Sequence, residues 1–506
     1  MGLSIGNRLL GSTGLSNGFG LSVGNGLSFL GFGGAFSPAI LFANGEPGVW
    51  YDPSEMTTLF QDAAGTTPVT AVEQPVGRML DKSGRGNHAT QATPSARPVL
   101  SARVNLLTKT EQFNDAYWGT ASRVTISANT TDTTDPLGGN TADKMVEVAA
   151  TGTHRVSANG VNPAAVGVAT LSLKTSVYFK KGSRNWAWIN ASDLGQNGAT
   201  AWFDLNNGVV GTVSVVGAGS GQSSSITSVG NGWYLCTLTV KPNTVAGDVF
   251  VYFGMSTADT VTSYAGDITK DLYIWGADLR VANDTALPVY QRVDTSTSYD
   301  TTGFPMYLRF DGSDDCMVFN PNVSSLNLNM WAGARVLGTT NAASRIAVIT
   351  GTTGSDSSII MTANAVTLDF SAGYRYPENQ GVLLRGADPS SVISYQRPSA
   401  TLQTARRNGI NGPDNIVTTT TFTSVTGRIG CNWELSTQDR YFNGRIYSLI
   451  VRGAATSDTL IGQTENWISG EMGGGYYPTG FDFLVDANGD QLTDASGNPI
   501  ITQAYY

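Results

Sequence analysis

A chain of 506 residues corresponds to about three domains at roughly 150 residues each, so a single small domain is excluded. Its 60 glycines and only 14% charged residues make it polar through Gly, Ser, Thr and Asn, a turn-rich and strand-rich usage that argues against a helical bundle. A net charge of -9, with a pI near 4.8, argues against nucleic acid or an anionic membrane surface as a partner, since either needs a basic patch.

Residues 1–45 form a low-complexity block in which Gly-Leu-Ser recurs at Gly2, Gly14, Gly20 and Gly26. Glycine contributes no packing and loses much entropy on ordering, so this segment needs a partner to be ordered. Its apolar end, Phe29, Leu30, Phe32, Phe36, Ile40, Leu41 and Phe42, favours a docked arm over a solvated tail. The block lacks the charged and uninterrupted apolar regions of a secretory signal, no window is apolar for about 18 residues, and no membrane span is expected.

The segment 46–102 reads as a turn-rich connector, with Trp50-Tyr51-Asp52-Pro53 and the run from Asp81 to His88. A short helix is expected over 57–62. Between 103 and 292, β-branched and aromatic runs recur at 172–180, 186–190, 201–205, 233–240, 249–254 and 272–277, without a long 3.6-residue period. That pattern predicts an antiparallel β-sandwich. A second all-β series follows at 307–310, 317–319, 345–350, 359–361, 365–370 and 445–451, then a helix over 459–469. The tail 476–506 carries two turn signals, Asn488-Gly489 and Ser496-Gly497-Asn498-Pro499, and predicts a small β-meander.

Searches for catalytic patterns fail: there is no G-x-S-x-G, H-E-x-x-H, Walker or Rossmann signature, and no set of carboxylates spaced along one strand as a β-sandwich glycosidase would want. The expectation is a protein that is not an enzyme. Only His88 and His154 could serve as a histidine base, and His88 fits a turn. Cys236, Cys316 and Cys431 are odd in number and far apart, which argues against a disulfide framework or a zinc site and fits folding in a cytoplasm.

Two kinds of binding residue stand out. Asp311, Asp314 and Asp315 beside Gly312 offer carboxylates that a calcium ion could use, although a polar turn between strands is the favoured explanation; no other cofactor is expected. Asp486, Asn488 and Asp490 alternate like a calcium loop but lack its terminal glutamate, and an Asn-Gly turn accounts for them. Indole planes stack on the C–H faces of sugars, so Trp186, Trp188, Trp202 and Trp233 are candidates for glycan binding, with core packing the favoured reading for any one of them. Trp186 and Trp188 lie two apart and share one face of their strand.

The stretch Trp50 to Leu100 resembles the opening of bacteriophage and prophage fibre or appendage proteins, and Asn105-Leu106-Leu107 through Thr141-Ala142-Asp143-Lys144, closing with Tyr273-Ile274-Trp275-Gly276-Ala277 and Pro288-Val289-Tyr290, resembles their carbohydrate-binding-like jelly roll. Tyr307-Leu308-Arg309-Phe310-Asp311-Gly312 and Phe442-Asn443-Gly444-Arg445-Ile446 are similar to a laminin-G or concanavalin-like sandwich. The resemblance spans roughly residues 50–475. It implies an all-β virion protein on the particle exterior, held to capsid or tail proteins by its N-terminal arm, trimeric as such fibres are, and presenting lectin-like domains to host glycans. A purely structural or decoration protein and, less favoured, a polysaccharide depolymerase are the competing readings. In that family a turn like Asp81 to His88 closely precedes a strand like Tyr307-Leu308-Arg309-Phe310-Asp311-Gly312, so the module 103–292 is expected to be inserted into a second sandwich made from 81–100 and 304–475.

Overall fold

The computed structural model describes residues 36–474 apart from 120–121, 162–171, 243–247, 283–286, 338–343, 352–357, 365–368, 375–379, 386–389, 413–414, 417–423 and 435–436, together with the strand pairs Ser22–Val23 with Leu27–Ser28 and Phe481–Phe483 with Ile501–Gln503. Anchor candidates Phe29, Leu30 and Phe32 and the turns of the expected meander lie outside the described residues. The architecture is all-β, in two sandwiches, with all described strand pairs antiparallel.

The inserted sandwich faces a five-stranded sheet, in spatial order Arg155–Val161, Val249–Ser256, Trp186–Asp193, Gly198–Asp204 and Val209–Val216, against a six-stranded one. The second sheet runs Ser220–Gly230, Trp233–Lys241, Leu173–Lys181, Asp271–Val281, Asp143–Glu147, Val124–Ser127. Alternation decides the faces: Ala187, Ile189 and Ala191 are fully buried in the core, as are Val251 and Phe253 opposite them, while the residues between point outward. In Asp271–Val281 the core residues change parity, from Leu272 and Ile274 to Ala277 and Leu279. Gly276, at φ +63, absorbs the extra residue where the register against Ser176 and Tyr178 shifts, a β-bulge only glycine adopts without strain.

The other sandwich is discontinuous in sequence. One sheet runs Ile410–Asn411, Leu402–Arg407, Ser390–Arg397, Leu328–Val336, Asn443–Gly453, Tyr307–Asp311, Val99–Ser101, and Gly48–Tyr51 also pairs with Asn443–Gly453. The facing sheet runs Gln380–Leu384, Phe370–Tyr374, Ser358–Ala363, Ser344–Gly351, Ser424–Ile429, Met317–Phe319, Ala89–Thr90, Arg78–Met79, Leu59–Phe60. The chain therefore leaves this sandwich after Ser101 and returns at Tyr307, its register partner in the next strand.

The segment read as a connector supplies strands to both sheets. Its strands are short and separated by turns, so no periodicity marks them. The expected helix over 57–62 is a 3-10 turn, Met56–Thr58, followed by the strand Leu59–Phe60. Leu59 is fully buried and its pairing with Met79 overrides local helix propensity. The expected strand over 365–370 lies mostly outside the described residues, and the observed strand begins at Phe370.

The helix Asp458–Glu471, capped by Ser457, lies on the outward face of the first sheet. Ile461, Ile468 and Met472 pack on Trp331, Val392, Tyr447 and Ile450. Gly333 allows this approach, since a Cβ there would stand 2.6 Å from Ile468 Cγ2. Leu41 and Phe42, on the 3-10 helix Pro38–Phe42, are buried in the same cluster. These two anchor candidates thus belong to the protein's own core, because the outward face of the sheet is apolar and must be covered; Ile40 stays 54% exposed and Phe36 half-buried.

Cys316 and Cys431 form a disulfide, against the expectation from their spacing, and Cys236 remains a buried thiol. Pairing of Met317 with Ile429 brings together cysteines that are 115 residues apart, a proximity that sequence spacing does not encode.

Candidate functional site

Local hydrogen bonding accounts for several polar candidates. The Asp81 carboxylate accepts from the backbone N–H groups of Trp50 (3.0 Å), Ser83 (2.9 Å) and Asn87 (3.1 Å), and His88 Nδ1 accepts from the Asp81 N–H (3.0 Å). His88 is therefore a turn residue, and partial burial lowers its basicity. His154 is fully buried, stacked on Tyr264 with ring centroids 4.5 Å apart, and its Nε2 lies 3.3 Å from the Val148 carbonyl.

Asp311, Asp314 and Asp315 do come together: one carboxylate oxygen of each lies within 4.8 Å of the others. The turn draws them in, with the Ser313 N–H donating to Asp311 Oδ1 (2.7 Å) and the Asp311 N–H to Asp315 Oδ2 (2.9 Å). Burial, then the charges of Asp311 and Asp314, pushes the Asp315 carboxyl up to about 7. Three oxygens of this kind suit a hard cation such as calcium, though they fall short of the six to eight ligands it takes.

The four tryptophans separate. Trp233 is 0% exposed and donates its indole N–H to the Thr134 carbonyl (2.9 Å), within a cluster on the outward side of the six-stranded sheet. Trp188 and Trp202 are register partners on the outward face of the five-stranded sheet, 2% and 6% exposed, donating to the carbonyls of Met255 and Val261. These three rings are covered, so they offer no open plane to a sugar, which corrects the expectation for them. Trp186, on the same face, remains half-buried.

Around Trp186 the sheet assembles residues that no linear motif joins. Register aligns one cross-strand row of Ser157, Tyr252, Asn190 and Thr200, and beside it a row of Arg155, Gly254, Trp188 and Trp202. Tyr252, Asn190 and Arg155 are half-buried like Trp186, and the Asn190 amide donates to Thr200 Oγ1 (2.8 Å). The Arg155 guanidinium lies over the Tyr252 ring at 3.9 Å. Sequence reading missed Arg155, Asn190 and Tyr252. The available signal was parity, since Asn190 continues the Trp186–Trp188 face, but which strands lie alongside is a property of the sheet.

No protein-family model matches the chain, and no curated protein sequence matches it. Among solved structures, it is similar to a mutant of the NanB sialidase from Streptococcus pneumoniae at 10% identity and TM-score 0.25, over 31% of this chain and 26% of that one. Mouse laminin alpha1 domains LG4-5 match at 12% identity and TM-score 0.23, over 56% of this chain and 82% of that chain. The Trypanosoma rangeli sialidase in complex with sialic acid matches at 8% identity and TM-score 0.26, over 66% and 61%. The chain thus spans about a quarter of the length of the NanB chains it matches. Scores this low carry no information on function.

Proposed function

We propose that this protein binds carbohydrate, without catalysing a reaction, through the outward face of the five-stranded sheet in the inserted sandwich. The carrying observation is the convergence on that face of two half-buried aromatic side chains, Trp186 and Tyr252, with the amide of Asn190 and the hydroxyls of Ser157 and Thr200. Aromatic planes receive the apolar face of a sugar, and neighbouring amides and hydroxyls read its hydroxyl groups. The resemblance of the sequence motifs to phage fibre and appendage proteins supports a wider reading, in which the module is displayed on a virion exterior, as a trimer, to engage host-surface glycans. Labelled electron microscopy of particles tests the location, and light scattering tests the trimer, which a strict monomer of 53.2 kDa would overturn.

A glycan array probed with the whole chain tests the binding itself. Retention of a defined glycan set, lost in Trp186→Ala and Tyr252→Ala while both variants melt as the parent does, is the expected result. The competing structural reading draws on the burial of Trp188, Trp202 and Trp233, and the absence of any retained glycan would establish it in place of this proposal.

A further inference from the structure

Several half-buried or buried cations of the inserted sandwich are engaged by carboxylate or carbonyl oxygens. Arg184 holds Glu147 through two hydrogen bonds (2.6 and 2.9 Å), and Lys144 reaches Asp132 (2.8 Å) and Asp271 (3.0 Å). Arg280 pairs with Asp278, Lys109 with Asp294 (2.6 Å), and Arg103 bonds the carbonyls of Asn105, Leu106 and Leu107. Arg155 differs. Among the described residues it makes no ion pair; its oxygen contact is the hydroxyl of Tyr252, and its Nε is buried without a hydrogen-bond partner.

The carboxylates that share or border this face are already committed to neutral donors. Asp204 accepts from Asn206 and Asn207, Asp193 from Asn197, and Asp259 from Thr212. Stacking on Tyr252 at 3.9 Å occupies one flat side of the Arg155 guanidinium, and with Nε buried the fork left for an in-plane partner is formed by its two terminal NH2 groups. Leaving a cation half-desolvated beside an aromatic ring without a counter-charge is unfavourable, and an anion supplied from outside would relieve it. A planar carboxylate matches the fork through two parallel hydrogen bonds.

We propose that the face selects a glycan carrying a carboxylate, an acidic sugar whose carboxyl group sits on Arg155 while a neighbouring ring stacks beside Trp186 or Tyr252. This rests on the carbohydrate reading above and adds the class of sugar. A sulfate ester offers the same charge in a tetrahedral arrangement, so the experiment separates the two.

The whole chain is tested by calorimetry against matched glycans, chosen from the array, in neutral, carboxylated, carboxyl-reduced and sulfated forms. The expected result is at least a tenfold preference for the carboxylated form over its carboxyl-reduced counterpart, weakening as salt is raised. Arg155→Gln should abolish that preference, and Arg155→Lys should restore only part of it. Equal binding of carboxylated and reduced forms, or preference for the sulfated one, overturns the acidic-sugar proposal while leaving carbohydrate binding intact; no binding of any form overturns both. The comparison of carboxylated with reduced glycan on the unmutated chain decides the matter even where the Arg155 variants fold poorly.

Discussion

Asn105 and Gln291 stand 186 residues apart, are both fully buried, and fasten the two ends of the inserted sandwich to each other. The Asn105 backbone N–H donates to Gln291 Oε1 (3.0 Å), and the Asn105 side-chain amide donates to the Gln291 carbonyl (2.9 Å). Gln291 Nε2 reaches back to the Ala102 carbonyl (3.0 Å), and Asn105 Oδ1 accepts from the N–H groups of Leu107 (3.1 Å) and Leu279 (3.0 Å). Beside them the Tyr299 hydroxyl donates to Glu73 of the discontinuous sandwich (2.7 Å).

Truncating this clasp should be costly. Asn105→Ala leaves the N–H groups of Leu107 and Leu279 buried without acceptors, and at about 1–3 kcal/mol for each group the loss should be about 3 kcal/mol. Urea denaturation followed through tryptophan fluorescence measures it. A loss under about 1 kcal/mol would mean that water replaces the amide and the clasp is dispensable.

Because Ser101 and Tyr307 are register partners, the discontinuous sandwich should survive removal of what lies between them. Joining them through an Asn-Gly turn in place of residues 102–306 should give a cooperatively unfolding protein. By contrast residues 304–475 alone, deprived of Val99–Ser101 and Gly48–Tyr51, should be markedly less stable. If both fragments unfold at the same urea concentration, the earlier strands contribute nothing.

Thiol chemistry should reveal one cysteine rather than three. The native protein should not react with a thiol reagent, since Cys236 is buried and burial raises its thiol well above the ordinary range; unfolding without reductant should release a single thiol. The Cys316–Cys431 link closes 115 residues, so its reduction should cost up to about 4–5 kcal/mol in the chain-entropy account. Three titratable thiols in the unreduced, unfolded chain would contradict the link.

Asp315 should make stability fall as pH rises. Its carboxyl titrates near 7 in the folded protein, above the ordinary carboxylate range, so between about pH 4 and 7 the folded state holds a proton that the unfolded state has released. Stability is therefore lost as pH climbs through that window. Asp315→Asn should make this part of the profile shallower, with the remaining fall owed to Asp143, whose carboxyl burial pushes up to about 6. Calcium, if the three carboxylates hold it, should raise the melting temperature of the parent at pH 7.5 and leave that of Asp315→Asn unchanged; a parent profile that rises from pH 4 to 7 would refute the assignment.

Local pattern was enough for the class of fold and for many of its strands. The alternation of Ala187, Ile189 and Ala191 with Trp186 and Asn190 divides the strand into two faces without knowledge of the neighbours, because successive side chains in a strand must point to opposite sides, but which face is inner came only from the packing. The helix Asp458–Glu471 was legible over 459–469 for a similar reason, its apolar residues recurring on one side. Ser220–Gly230 was not legible: it is a long edge strand with little apolar content, held by its pairing with Trp233–Lys241 rather than by burial. Nor could parity say that Trp188 and Trp202 would be covered while Trp186 stayed half-buried, or that Arg155 would lie on Tyr252. Those outcomes, like the meeting of Cys316 with Cys431, depend on which strands pair and what packs over them, and such contacts join residues too far apart in the chain for any local pattern to record.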